Sequence, residues 1–373
     1  MLAAPILDDQ AEDVVGLINQ TRDHLRFMLR EALPWSAHLY RDVLARNVQA
    51  STAIEGHKVS LDDVVSLIEG STCLEASDVD CNAVSNYLDA ATYVSQLTND
   101  PHFEYSSALL RSLHFIIMRD DLSAMPGLVR PGAVGARTSG GQGVPSEDLG
   151  YEDVPSLLLE LVGQLIDSNS DIEAMVRGGM THLNMMMIHP FKDGNGRTAR
   201  TVQSLVLGRE RVLAPAFSSI EEYLGRNIRA YHKALAQVVS GGSIWEGDVR
   251  PWIRFVLGAH FRQAMTLSRR IRESETLWEA IDEQRQSVGL QKRTIGSLYS
   301  AAMEHRVRRP DHVRYADVSE RVATSDLEKM VGVGLLKAVG ERRGRHYVAG
   351  NRLRRLRHSI QEKRQPIPDP FSE

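Results

Sequence analysis

The chain has 373 residues, 42% of them hydrophobic and 25% charged, with a formal net charge of −4. That length exceeds what one hydrophobic core usually serves, so two or three globular domains are expected and a disordered or fibrous chain is excluded. The N-terminus turns acidic early and lacks a basic n-region, and no stretch approaches the roughly eighteen apolar residues of a membrane span, so a soluble, unexported, cytoplasmic protein without a membrane partner is expected.

Apolar residues recur at three- and four-residue spacing in EDVVGLINQTRDHLRFMLREAL and in YRDVLARNVQASTAIEG, which predicts amphipathic helices and a mostly α fold. The second helix ends in STAIEG, residues 51–56. There Glu55 is a last-turn carboxylate before a Gly56 cap, slightly misplaced because the helix dipole disfavours anions at that end. Ser60 reads as the N-cap of LDDVVSLIEG, with acidic residues in the first turn. Cys73 and Cys81 match neither a disulfide framework nor a paired-thiolate metal site, which suits a reducing compartment. Another helix is expected over about 80–97.

Residues 125–155 are rich in Gly and Pro and predict turns or a short hairpin, and a loop of that length inside a domain is usually functional. Helical patterning resumes with SLLLELVGQLI, and DIEAMVRGGMTHLNMMMI runs directly into IHPFKDGNGRTAR, residues 188–200. Two helices, about 221–240 and 248–272, follow. Near the C-terminus a helix, a turn, a second helix ending at Gly332 or Gly334 and two short strands around ERRGR make a helix-turn-helix with a wing. The basic charge gathers here: residues 291–365 hold 18 Lys plus Arg against 8 Asp plus Glu, a balance of +10 that leaves −14 for the rest.

The 188–200 segment concentrates the chemistry. Pro190 disfavours α conformation at His189, so the helix should end there and present an imidazole whose ordinary pKa, near 6.5, suits a general base. Gly194, Asn195 and Gly196 tolerate left-handed backbone and precede a new helix, so their N–H groups can form an anion nest that suits phosphate. Arg197 and Arg200 share one helix face and need a polyanion or an acidic partner to offset their repulsion. Asp193 is suited to Mg²⁺, which keeps few protein ligands and takes the rest from phosphate and water. GNGRTA formally satisfies the dinucleotide pattern G-x-G-x-x-A, but a helix and His-Pro precede it where a strand is required. No Walker P-loop string occurs. A zinc site from His182, His189 and Asp193 lacks a third histidine at ligand spacing, and His182 reads as a satisfied helix histidine.

HPFKDGNGRTAR resembles the complete signature of the Fic family, H-P-F-x-[DE]-G-N-G-R-x-x-R, and the resemblance extends over about 100–262, through YEDVPSLLLEL, RAYHKAL and GDVRPWIRFV. It implies a helical Fic core with a short β-hairpin flap at 125–155 that aligns the target chain, although RTSGGQGVPSEDLG departs from a β-rich hairpin. It implies an adenylyltransferase that moves AMP from ATP to a hydroxyl of a target protein and of itself. In that reading His189 deprotonates the hydroxyl, Asp193 holds Mg²⁺, Gly194, Asn195 and Gly196 cradle the phosphates, Arg197 and Arg200 bind the outer phosphates, and Tyr231 lines the adenosine pocket. STAIEG matches [ST]-x-x-x-E-[GN], the motif of family members whose inhibitory helix precedes the core, which implies that Glu55 pairs with Arg200 and restrains the enzyme.

Three regions are expected: 1–97 with the inhibitory helix, 98–262 as the catalytic core, and 263–373 as linker helices and a winged-helix domain. The last would contact DNA through Arg342, Arg343, Arg345 and RLRRLR, with residues 324–336 as recognition helix, or else serve dimerisation or target docking. The alternative functions are a DNA-binding regulator with the Fic core as sensor, or removal of AMP from the same target. A homodimer is a further expected partner state.

Overall fold

A computed structural model describes residues 1–73, 75–132, 150–167, 172–239, 245–341 and 344–372. The N-terminal third is helical, as the periodicity predicts. Asp8 caps α1 (Asp9–Met28), accepting from Ala11 N at 2.8 Å, and α2 (Ser36–Ile54) follows. Ser60 caps α3 (Leu61–Ile68), accepting from Asp63 N at 3.1 Å, and Ser77 caps α4 (Asp78–Leu97). The core continues with α5 (Ser107–Met118), α6 (Val154–Ile166), α7 (Ala174–Ile188), α8 (Asn195–Arg209) and α9 (Pro215–Ser218). The helix expected over 221–240 is divided at Asn227 into α10 (Glu221–Arg226) and α11 (Ile228–Val239).

The helix expected to stop near 272 continues to Ser287 as α12 (Arg250–Ser287), 38 residues and about 57 Å long. Three short helices follow, α13 (Ile295–Ala302), α14 (Arg309–Ala316) and α15 (Glu320–Gly332). The antiparallel pair β1 (Leu336–Val339) and β2 (His346–Ala349), in register Leu336↔Ala349, precedes α16 (Asn351–Gln361). Because α15 ends at Gly332 and Gly334 turns left-handed (φ 74), residues 333–336 are turn and strand instead of the end of a 324–336 helix. Arg342 and Arg343 lie outside the described residues. So does 133–149, which holds most of the expected flap hairpin.

Packing does not respect the three expected regions. The boundary at 262/263 falls inside continuous helix α12. One apolar core joins α1 (Val14, Ile18) to α7, α8 and the first half of α12 (Trp252, Val256). A second joins Leu25, Trp35, Leu39 and Val43 to the far half of α12 and to α13, α15 and α16. A third unites α2, α3, α4 and α5 through Val48, Val64, Tyr87 and Ile117. The N-terminal helices therefore contribute to every core, since each buries a stripe of its own against a different neighbour.

Cys73 and Cys81, read from the sequence as unpaired, form a disulfide between the loop after α3 and the first turn of α4. Eight residues of separation accommodate a turn back onto a helix start, which spacing rules for multi-cysteine frameworks do not anticipate. The cysteines therefore lend no support to a reducing compartment. Among the described residues no helix is long and apolar enough to cross a membrane.

Ion pairs dock the C-terminal helices on α2 and α3. Arg306 Nη2 reaches Glu75 Oε1 at 2.5 Å, Arg314 Nη2 reaches Glu69 Oε2 at 3.0 Å, and buried His305 lies 3.1 Å from Asp42 and 3.5 Å from Asp62. Burial opposes the charge on His305, but its hydrogen bonds to the two carboxylates outweigh it and hold the imidazole above its ordinary pKa. A group whose pKa is raised on folding contributes stability that is full below its unfolded pKa, about 6.5, and lost as pH rises through the folded value. The melting-temperature advantage of wild type over His305→Gln is therefore expected to be largest at pH 6 and to shrink towards pH 9. A difference independent of pH would show that His305 acts only by packing.

Candidate active site

The loop between α7 and α8 is held by backbone contacts from both sides. Helix α7 stops at Ile188 and His189 turns left-handed (φ 46, ψ 59), which histidine tolerates better than most residues and which Pro190 favours by excluding α geometry. Arg130, itself buried, donates from Nε to the His189 carbonyl at 2.9 Å, and its backbone N donates to the Pro190 carbonyl at 2.9 Å. Asn195 closes the loop on itself: its Oδ1 accepts from Phe191 N at 2.9 Å and its Nδ2 donates to Phe191 O at 2.8 Å. The amide side chain is thus committed to the loop, and only the Asn195 backbone is left to meet a phosphate.

Of Gly194, Asn195 and Gly196, only Gly194 is left-handed (φ 74), and Asn195 already begins α8. The expected nest is therefore a helix N-terminus, whose first N–H groups have no intrahelical acceptor and carry the positive end of the dipole. Gly194 takes a backbone that favours glycine, and both glycines keep the helix start open. A Cβ on Gly194 would lie 2.7 Å from Met118 Sδ, and one on Gly196 would lie 2.5 Å from Glu55 Oε1. The Glu55 carboxylate, at the C-terminus of α2, is thus seated directly over the start of α8.

Arg200 is almost fully buried and turned towards α2: Nη2 donates to Glu55 Oε1 at 2.7 Å and to the Ser51 carbonyl at 3.0 Å, and Nε donates to Ser51 Oγ at 2.7 Å. Arg197 is also buried, its Nη2 against Met118 Sδ at 3.0 Å and its Nε without a hydrogen-bond partner among the described residues. Burial opposes ionisation of Glu55, but Arg200, with Arg197 and His232, holds its pKa below the usual carboxylate range. A depressed acid keeps its pairing above its unfolded pKa, about 4.3, so the contact persists through neutral pH and is lost only in acid.

Burial, reinforced by Arg130, pushes His189 down to about 4, against the opposing pull of the Met186 backbone, Asp193 and Glu55. At pH 7 the imidazole is neutral and able to accept a proton. Asp193 is exposed, with Oδ1 accepting from Gly194 N at 2.6 Å. Among the described residues no three His, Cys, Asp or Glu cluster as a self-sufficient metal site. An exposed carboxylate at the mouth of an anion-binding helix fits a Mg²⁺ ion that takes most of its ligands from phosphate and water. His182 is satisfied, with Nδ1 on Gln203 Oε1 at 2.7 Å and Nε2 on the Tyr231 hydroxyl at 2.9 Å. Tyr231 is 1% exposed and packs against His182 and Trp252.

Three supporting residues escape sequence reasoning. Ser51 sits inside STAIEG, where its place in the motif was the available signal. Arg130 lies in the glycine-rich stretch without any. His114 is fully buried on α5 and stacks on Phe191 at 3.7 Å. Gly127 N donates to its Nδ1 at 2.9 Å, which leaves Nε2 to donate to the Asp193 carbonyl at 2.9 Å. Burial lowers His114 to about 4, so this neutral tautomer links the start of the glycine-rich segment to the metal-proposed aspartate.

Comparison with known proteins agrees with this geometry. Residues 104–207 match the model of the Fic/DOC family. They resemble a Fic domain. The chain superposes on a Fic family protein from Desulfovibrio desulfuricans G20 with a TM-score of 0.59 at 20% identity, covering 94% of this chain and 99% of that one. It superposes on Fic-1 from Caenorhabditis elegans with a TM-score of 0.55 at 23% identity, covering 71% of this chain and 73% of that one. The protein adenylyltransferase Fic of Culex quinquefasciatus is 28% identical over 225 residues, 58% of this chain and 40% of that protein. The protein adenylyltransferase fic-1 of Caenorhabditis briggsae is 23% identical over 239 residues, 59% of this chain and 42% of that protein. The chain thus spans about two fifths of the length of these curated relatives. Ser51 and Glu55 lie outside the matched range, so the anion site of the matched segment is covered by a side chain from the N-terminal segment.

Proposed function

We propose that this protein transfers AMP from ATP to a hydroxyl side chain of a target protein and of itself, and that Glu55 restrains the reaction. The observation that carries the reading is the seat of the Glu55 carboxylate over Gly196, 2.7 Å from Arg200: an anion already occupies the helix N-terminus, beside a neutral imidazole. The names of the adenylyltransferase relatives support the same chemistry. His189 accepts the hydroxyl proton, the oxygen attacks the α-phosphorus, and pyrophosphate leaves. The start of α8 with Arg197 and Arg200 holds the outer phosphates, so the protein acts by positioning and by stabilising charge that develops in transfer. Asp193 would hold Mg²⁺, which when bound offsets phosphate charge.

The deciding experiment follows the label. Protein incubated with ATP should become labelled from the α-phosphate and not from the γ-phosphate. Label from γ alone would mean phosphoryl transfer and overturn the reading. Asp193→Ala is expected to lose the Mg²⁺ dependence of ATP binding by calorimetry, and a dependence equal to wild type would remove Asp193 from the metal site.

Cytoplasmic location and reversal of the modification belong to this proposal only as companions of the activity. The DNA-binding reading gains less. Exposed positions of α15 hold Glu320 and Glu328 beside Arg321 and Lys329, so that helix brings no net charge to phosphates, although Arg352, Arg354 and Arg355 are exposed on α16.

A further inference from the structure

Away from the Fic loop, α2, α10, α12 and α16 enclose a cavity of about 110 Å³. Its wall is dominated by arginine. Arg46 comes from α2, Arg226 from α10, Arg269 and Arg270 from α12, and Arg357 with Arg364 from α16 and the residues just after it. Three carboxylates answer these six guanidiniums at ion-pair distance. Asp42 takes Arg46 at 2.8 Å and is shared with His305 at 3.1 Å. Glu222 takes Arg226 at 2.7 Å and Arg270 at 2.6 Å. Glu273 takes Arg364 through both oxygens at 2.7 Å.

Two of the arginines are only weakly matched. Arg269 approaches Glu273 only to 3.9 Å, and its buried Nε has no hydrogen-bond partner among the described residues. Arg357 spends Nη1 on the Ala302 carbonyl and on Met303 Sδ, and its buried Nε likewise has none. Burial, and then repulsion from neighbouring arginines, lowers the pKa of Arg269; Arg357 is lowered by burial first, with Arg46 and Arg364 adding to it against Glu304 and Asp42. Donors of one sign converging on one cavity, with the buried Nε of Arg269 and of Arg357 left unpaired, cost stability unless something anionic fills the space. Guanidiniums meet phosphate oxygens in pairs, which suits this site better to phosphate than to a single small anion. The mouth is wet: the Arg226 side chain is 60% exposed and that of Arg364 39%, so a ligand can enter beside them.

We propose that this cavity binds a compact anion carrying two or more phosphates, held by Arg269 and Arg357 with Arg364 and Arg226 at its entrance. The site is independent of the catalytic reading, since none of its residues belongs to the Fic loop. Helix α2 connects the two, with Asp42 and Arg46 at the cavity and Ser51 and Glu55 at the loop.

Inorganic pyrophosphate is the probe. Calorimetry on the full chain should show binding that survives in Arg197→Ala/Arg200→Ala and falls at least tenfold in Arg269→Gln/Arg357→Gln, with thermal melting confirming that both variants are folded. Loss of all binding in the loop variant, or affinity within twofold of wild type in the cavity variant, would overturn the proposal. Hydrogen exchange on wild type provides a reading free of mutation: saturating pyrophosphate should slow exchange over residues 351–364, and unchanged exchange there would equally overturn it. Titration of Arg197→Ala/Arg200→Ala with ADP and with tripolyphosphate in parallel separates a nucleotide from a bare polyphosphate: tight binding of either that is lost on adding Arg269→Gln/Arg357→Gln places phosphate in the cavity, and binding that persists there would overturn the proposal.

Discussion

Glu55→Gly is expected to raise self-labelling from α-labelled ATP at least tenfold over wild type, about 1.4 kcal/mol of barrier. The carboxylate now sits where the outer phosphate of ATP would meet Arg200 and the start of α8, and like charges a few ångströms apart in a partly buried site repel. Displaced by it, ATP binds without presenting its α-phosphate for in-line attack. The substitution also leaves Arg200 buried without its carboxylate, with Ser51 still accepting from it, a loss of about 1–3 kcal/mol in the absence of nucleotide. Because a ligand that binds only the folded state stabilises it, ATP should raise the melting temperature of Glu55→Gly more than that of wild type. Adding Arg200→Ala should cancel most of the gain in labelling, since that guanidinium is then missing from the phosphate. If Glu55→Gly labels no faster than wild type in saturating Mg-ATP, Glu55 is merely the end of a helix.

His189→Ala is expected to reduce labelling at least a hundredfold, about 2.7 kcal/mol, with ATP affinity nearly unchanged. The imidazole contributes a proton acceptor, whereas the loop that carries it is held by Arg130, by the Pro190 carbonyl and by Asn195 closing on Phe191. Alanine is less at ease than histidine in the left-handed region, so His189→Asn, which tolerates that backbone, serves as the matched control. Both variants should lose activity together, and labelling above a tenth of wild type in either would remove His189 as the base.

Local chemistry was legible in the sequence. Helical periodicity, the serine cap at Ser60, the stop before Pro190 and the crowding of His189, Asp193, Arg197 and Arg200 all follow from short-range spacing, because a helix brings residues three and four apart onto one face. Glu55 was marked by its motif and by its awkward place at a helix end, and its partner came from family resemblance, since no spacing rule relates positions 145 residues apart. Tertiary structure decided the rest. It divided 221–240 at Asn227, carried α12 across an expected domain boundary, joined Cys73 to Cys81, and turned Tyr231 into the core and the Asn195 amide onto Phe191. Only packing brings His114 and Arg130 under the Fic loop, and only packing gathers arginines from positions 46 to 364 around one cavity. Such groupings depend on which apolar stripes find each other, a free energy summed over the whole chain, and no short window of sequence contains it.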